Sequence, residues 1–273
     1  MAVVADRDQT DVPCWQALGM DPMHRQLEHR VRFDWGPTGA AAIASGAELA
    51  VVFDVLSFTT TLCVAVERGM TVLPFRWKDE RASAYAEERG AVLAVGRLEG
   101  RSLPPSAAVS LSPAAMTRVS GVERIVLPSP NGSAISFGLA ETGAVVVGAC
   151  LHNRAAVARW LLARPDATVA VVAAGERWPD GSLRPAAEDL WGAGALLALL
   201  PAADLSPEAL LAADAFRAVE ATLADSLRAC ASGRELTAAG FGEDVEVAAE
   251  LDVSDVVPVL ADGEFAPSAD VAR

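Results

Sequence analysis

Lysine is almost missing from this chain. Lys78 is its single occurrence, so arginine supplies nearly all of the 22 basic side chains, against 36 acidic ones, and the formal net charge is −14. A surface of that sign repels nucleic acid and anionic membranes, and no basic run or basic–aromatic patch offsets it, so neither is expected as a partner. An anionic substrate would need local positive charge from an arginine, a helix N-terminus or a metal ion. Cysteine is sparse as well. Cys14, Cys63, Cys150 and Cys230 form no CxxC pair, which argues against a disulfide framework or zinc site and for a reducing, cytoplasmic compartment. The first dozen residues carry Asp6, Arg7, Asp8 and Asp11, unlike a secretory leader. Apolar runs meet a charge or a glycine before reaching membrane-spanning length. His24, His29 and His152 lack metal-ligand spacing, and no P-loop, GxGxxG or GxSxG element is present. The haloacid-dehalogenase scheme needs a second aspartate two residues after the nucleophile; two residues after Asp54 stands Leu56.

What is there is an apolar α/β pattern. Of the 273 residues 52% are hydrophobic, enough for a sizeable core. After an irregular lead-in over 1–28, strands are expected at 48–54, 71–75, 91–95, 122–127, 144–147, 168–173 and 256–259. Helices are expected at 57–68, 80–89, 132–140, 153–162 and 186–200, with more to about 231. Stretches 96–113 and 175–185, rich in Gly and Pro, read as loops, and 262–273 as a frayed tail. Uninterrupted apolar strands are strands covered on both faces, and their alternation with helices gives βα units. The expected fold is one three-layer α/β/α domain over 1–273 with a mostly parallel or mixed sheet. Function should then lie in loops that follow strands.

Three such loops carry chemistry-bearing residues. Asp54 ends the run AVVFD and precedes Ser57, Thr59, Thr60 and Thr61. A carboxylate there can hold a divalent cation or attack phosphorus, and hydroxyls at a helix start can hold phosphate oxygens; equally, Asp54 can simply cap the helix. Ser129-Pro130-Asn131-Gly132-Ser133 follows a strand; Gly132 allows close backbone approach and Asn131 can cap the helix or touch a ligand, although an ordinary βα turn reads the same way. The segment from Ala173 to Gly194 gathers Glu176, Arg177, Asp180, Arg184, Glu188 and Asp189, a set suited to Mg²⁺ beside an anionic substrate. Helix-dipole stabilisation alone would account for Glu188 or Asp189. Arg97 and Arg101, in the 96–113 loop, are candidates to reach the substrate.

The stretches VVFDVLSFTTTL (51–62), LPSPNGSAIS (127–136), GACLHNRAAVA (148–158), AAGERWPDGSLRPAAEDLWGAGAL (173–196) and GFGEDVEVAAELDVSDVVPVL (240–260) together resemble, in order, the 2-phosphosulfolactate phosphatase family of coenzyme M biosynthesis. The resemblance implies a Mg²⁺-dependent phosphatase with a three-layer α/β arrangement, cleaving a phosphate ester beside a sulfonate. It implies catalytic roles for Asp54, Asn131 and Glu176 and metal ligation by Asp54, Glu188 and Asp189. Ser57, Thr59, Thr60, Ser129, Gly132, Ser133, Arg97 and Arg177 would contact the substrate. The chain departs from the family pattern at Ser57, where an arginine is frequent, and in VGRLEGRSLPPSAAVSLSPAAM, where carboxylates and an asparagine are frequent. The alternative reading is a catalytically weak member that binds a small anionic metabolite. Oligomeric state is left open, with a homo-oligomer compatible with the sequence.

Overall fold

The computed structural model describes residues 21–76, 81–100 and 109–270. In chain order the first half contains β1 (Val31–Trp35), α1 (Gly36–Ile43), β2 (Leu49–Phe53), α2 (Phe58–Glu67), β3 (Thr71–Phe75), α3 (Arg81–Glu88), β4 (Val92–Leu93), α4 (Arg97–Gly100), α5 (Pro113–Met116), β5 (Arg124–Pro128) and α6 (Gly132–Glu141). The second half contains β6 (Val145–Ala149), α7 (Arg154–Leu162), β7 (Val169–Ala173), β8 (Glu176–Arg177), β9 (Leu183–Arg184), α8 (Ala187–Leu197), α9 (Pro207–Arg217), α10 (Leu223–Ala229), α11 (Ala231–Ala238), α12 (Gly242–Ala248), β10 (Pro258–Ala261) and β11 (Glu264–Pro267).

Among the described residues nine strands form one sheet in the order β1-β7-β2-β6-β10-β11-β3-β5-β4, and β8 pairs β9 in a separate hairpin. The apolar runs explain the interior strands: every residue of Leu49–Phe53 and of Val169–Ala173 is buried. Leu49, Val51 and Phe53 join a core with α7, α8 and α9, while Ala50 and Val52 join another with α1, α2 and α6. The sheet is therefore the middle of three layers. Burial of a side chain such as Phe53 contributes roughly 1.5–3 kcal/mol. Close helix contact needs its own residues. A Cβ on Gly194 of α8 would lie 2.0 Å from the Ala212 carbonyl oxygen of α9, so glycine is what lets these two helices touch.

Pairing is parallel within β1-β7-β2-β6 and within β3-β5-β4. Between these blocks β10 and β11 make three antiparallel pairings in succession. The two blocks consequently run in opposite directions. The sequence-based expectation of loops sharing one edge of the sheet fails here for β5. The chain segments after β2 and β5 nonetheless meet, the amide of Gly132 donating to the carboxylate of Asp54.

The beginning and end of the chain also differ from expectation. Residues 1–20 and 271–273 of the anticipated irregular ends lie outside the described residues, but Pro22–Arg25 is a 3-10 turn. β1 and α1 were not anticipated, because Arg32 and Asp34 interrupt the apolar pattern of β1. Arg32 is nonetheless buried, its guanidinium donating to the carbonyls of His29, Ile43 and Ser45. The tail is not frayed over 264–267: Asp262 and Gly263, at φ 52° and 80°, turn the chain into β11, and Phe265 is fully buried.

Candidate active site

β2 delivers Asp54 into a sharp turn, Asp54-Val55-Leu56-Ser57, whose Leu56–Ser57 peptide is cis. The Asp54 carboxyl is 6% exposed. Its Oδ1 accepts from the Phe58 amide at 3.1 Å, and its Oδ2 accepts from the Gly132 amide at 2.9 Å and from the Ser129 hydroxyl at 3.4 Å. One carboxylate thus binds the start of α2 and the start of α6. Burial raises its pKa, opposed by these donors and by Arg97.

Asp54 lines a cleft of about 390 Å³ together with Ser57, Thr61, Arg97, Leu111, Ser129, Asn131, Glu176 and Glu235. Glu176, the first residue of β8, accepts from Asn131 Nδ2 at 3.0 Å. Burial, reinforced by the charge of Asp54, pushes the Glu176 carboxyl up to about 7, against the pull of Asn131 and Arg184. Arg97 donates through Nη2 to the Ser57 hydroxyl and through Nε to Asp244 at 2.6 Å. Among the described residues lining the cleft, Arg97 is the one cationic side chain.

Several expected site residues therefore converge: Asp54, Ser57, Arg97, Ser129, Asn131 and Glu176 share the cleft, and Gly132 reaches it through its backbone. Others do not join them. Thr59 and Thr60 are fully buried, with hydroxyls donating to the carbonyls of Asp54 and Val55; they shape the turn rather than hold phosphate. Ser133 likewise donates to the Leu127 carbonyl beneath the cleft. Arg177 points along the exposed β8–β9 hairpin to the Gly181 carbonyl. Arg101 lies outside the described residues, as do 101–108 of the expected loop; its flanks form α4 and α5.

The metal set needs the same correction. Asp189 is buried behind the turn with both oxygens engaged: Oδ1 accepts from the Val55 amide at 2.7 Å and Oδ2 from the Gly175 amide at 2.8 Å. Its pKa is held well above the ordinary carboxylate range by burial and by Asp54 and Glu188. Glu188 lines a separate hollow with Arg184, Trp191 and Cys230, where burial and this carboxylate push the Cys230 thiol up to about 12. Among the described residues no three His, Cys, Asp or Glu side chains group to hold a metal ion. A three-carboxylate cage of Asp54, Glu188 and Asp189 does not fit. Of the three carboxylates, Asp54 is the one that faces the cleft, with both its oxygens also accepting hydrogen bonds.

The model of the 2-phosphosulpholactate phosphatase family matches residues 40–263, which takes in β2, β5, β8, α8 and α12. The chain belongs to that family. A relative from Deinococcus radiodurans, named a probable 2-phosphosulfolactate phosphatase, is 32% identical over 227 residues, covering 81% of this chain and 91% of that protein. The 2-phosphosulfolactate phosphatase of Methanothermobacter thermautotrophicus is 29% identical over 229 residues, covering 84% and 93%. Two residues of this family member escaped the sequence reading. Glu235 of α11 lines the cleft, and buried Asp244 of α12 anchors Arg97. Asp244 lies in the GFGEDVEV run that carries the family resemblance, which was its only signal.

No helix among the described residues is long and apolar enough to cross a membrane.

Proposed function

We propose that this protein is a Mg²⁺-dependent phosphatase that hydrolyses 2-phosphosulfolactate, or a closely similar small acidic phosphate ester, to the free hydroxy acid and phosphate. Family membership supports the reaction class. The observation that carries the mechanism is the pairing of two unlike carboxyls, Asp54 and Glu176, on one cleft. Asp54 accepts from two backbone amides and Glu176 from the Asn131 side chain, so the two acids are held differently and are suited to different roles.

Asp54 is fixed by three donors from two helix starts and serves as the charged group. It would hold Mg²⁺, which when bound offsets the charge of the phosphoryl oxygens. The Ser129 hydroxyl and the guanidinium of Arg97 orient the ester. Glu176, with a pKa of about 7, carries a proton in a good part of its molecules near neutrality. As a water oxygen bonds to phosphorus and the ester P–O bond breaks, the departing alkoxide takes that proton, and the proton the water sheds returns to the Glu176 carboxylate. Asn131 holds the Glu176 carboxyl in place. Hydrolysis measured as phosphate release from 2-phosphosulfolactate, with Mg²⁺ and with chelator, tests the proposal. Release that needs Mg²⁺ and Asp54 is the expected result; no release from any small acidic ester overturns it.

A further inference from the structure

Arg97 is held in place by an acid outside the cleft. Asp244 in the first turn of α12 has a side chain only 1% exposed. Its Oδ2 accepts from Arg97 Nε at 2.6 Å, and its Oδ1 accepts from the Ser112 hydroxyl and from the Ala114 amide at 3.3 Å. Ser112 caps α5, accepting from the Ala115 amide at 3.1 Å. Two of the three donors on Asp244 thus come from α5, so its carboxylate is anchored whether or not Arg97 is present. With Nε engaged on this anchor and Nη2 on the Ser57 hydroxyl, the guanidinium plane is fixed. Nη1 has no hydrogen-bond partner among the described residues, and Arg97 itself lines the cleft. A planar fork held at one side and open at the other suits an oxyanion, whether carboxylate, sulfonate or phosphate.

Resting on the phosphatase reading, we infer that Arg97, positioned by Asp244, reads the non-reacting acid group of the substrate, and so makes the enzyme selective for esters that carry a second anion beside the phosphate. In this reading the phosphate end falls to Asp54 and Ser129, which lie together through their 3.4 Å contact, close enough for the charge of Arg97 to act on Asp54. Arg97 is joined instead to Ser57, whose hydroxyl shares the Leu111 carbonyl with Thr61 at 3.2 and 3.1 Å. The plainer account is that Arg97 merely offsets the buried charge of Asp244. That account predicts that removing either residue costs stability and affects every ester equally.

The test compares two esters, 2-phosphosulfolactate and an aryl phosphate with no second acid, in wild type, Arg97→Gln, Asp244→Asn and the double variant. Arg97→Gln should raise KM for the diacid ester by about 100-fold, and Asp244→Asn by about tenfold, in line with losing a charge-assisted hydrogen bond or only its charged anchor. The losses should fall mainly on the diacid ester, so that the ratio of kcat/KM for the two esters drops by about the same factor in each variant. The double variant should be no worse than Arg97→Gln. Equal losses on the two esters, or additive losses in the double variant, overturn the inference. Arg97→Gln lies at a partly exposed side chain and keeps the test valid if Asp244→Asn does not fold. Calorimetric binding of sulfolactate, the phosphate-free acid, separates the two claims. If the wild type hydrolyses nothing, the phosphatase reading fails. The inference then still requires sulfolactate binding that Arg97→Gln abolishes, and is overturned without it.

Discussion

The Gly132 amide donates to Asp54 Oδ2 across 2.9 Å, joining the ends of two strands from sheet blocks of opposite direction. The contact leaves no room for a side chain: a Cβ on Gly132 would lie 2.3 Å from Phe58 Cδ1 and 2.8 Å from Asp54 Oδ2. Gly132→Ala should therefore displace the carboxylate or the Phe58 ring. The expected cost is about 1–3 kcal/mol of stability, typical of overpacking, with a loss of turnover larger than that of stability. Denaturant unfolding and steady-state kinetics on one preparation check it. Unchanged kcat would mean that the position of Asp54 is not critical.

Asp54→Asn keeps size and most hydrogen bonding but removes charge. If Asp54 were only a helix cap, asparagine would serve as well. As the cleft's charged group, its loss should lower turnover by at least about 10²-fold, with the circular dichroism spectrum unchanged. Near-normal, chelator-resistant hydrolysis by this variant would overturn the metal-phosphatase reading and point to another mechanism.

Glu176 predicts a pH dependence with a definite sign. Its folded pKa, about 7, stands above the ordinary 4.5, so between these values the folded state holds a proton that the unfolded state has lost. The stabilising contribution is fully present below about 4.5 and is lost as pH rises through about 7. Activity that depends on the protonated form should decline over the upper part of the same window. Glu176→Gln should flatten both profiles, leaving a more stable protein above pH 7 with lower kcat at every pH. A kcat profile that still falls through pH 7 in Glu176→Gln would assign that limb to another group.

Assigning Mg²⁺ to Asp54 rather than to Glu188, which the family resemblance also implies as a ligand, makes a prediction for binding. Mg²⁺ should raise the melting temperature of wild type and of Glu188→Gln, but not of Asp54→Asn. The reverse pattern, with binding lost in Glu188→Gln alone, would locate the ion in the Trp191–Cys230 hollow. Fluorescence of Trp191, which lines that hollow, gives an independent readout.

Much of the layered architecture is legible in the sequence because fully buried strands such as LAVVF and VAVVA have no alternation to obscure them. Asp54, Asn131 and Glu176 could be found because each follows a strand, and that rule depends on chain order alone. What could not be read is which way a side chain turns. Thr59 and Thr60 look like phosphate ligands by type and spacing, yet their hydroxyls turn to carbonyls in their own turn. Asp189 looks like a metal ligand until two distant amides appear on it. β1 was hidden by Arg32, whose charge is satisfied by carbonyls at the end of α1, a long-range fact. The β10–β11 hairpin had a local signal in Asp262-Gly263, the dipeptide suited to a tight turn with positive φ.

That hairpin has a consequence for how the molecule comes into being. β3 and β6 are both made early, yet neither can bond to the other; each waits for a strand synthesised after all the rest. Until β10 and β11 emerge, a nascent chain on the ribosome holds two half-sheets, each with an open edge of unpaired amides and carbonyls able to capture a neighbour. The closing pairs Val147 with Val259 and Val72 with Phe265, contacts of very long sequence separation and therefore slow to form. A chain stopped at residue 257 would retain Asp54, Asn131 and Glu176, but only the helices packed across both halves, α1, α2 and α6, would hold Gly132 near Asp54. The last hairpin acts as a keystone: it contributes no group to the cleft, yet it is what makes the two half-sheets one.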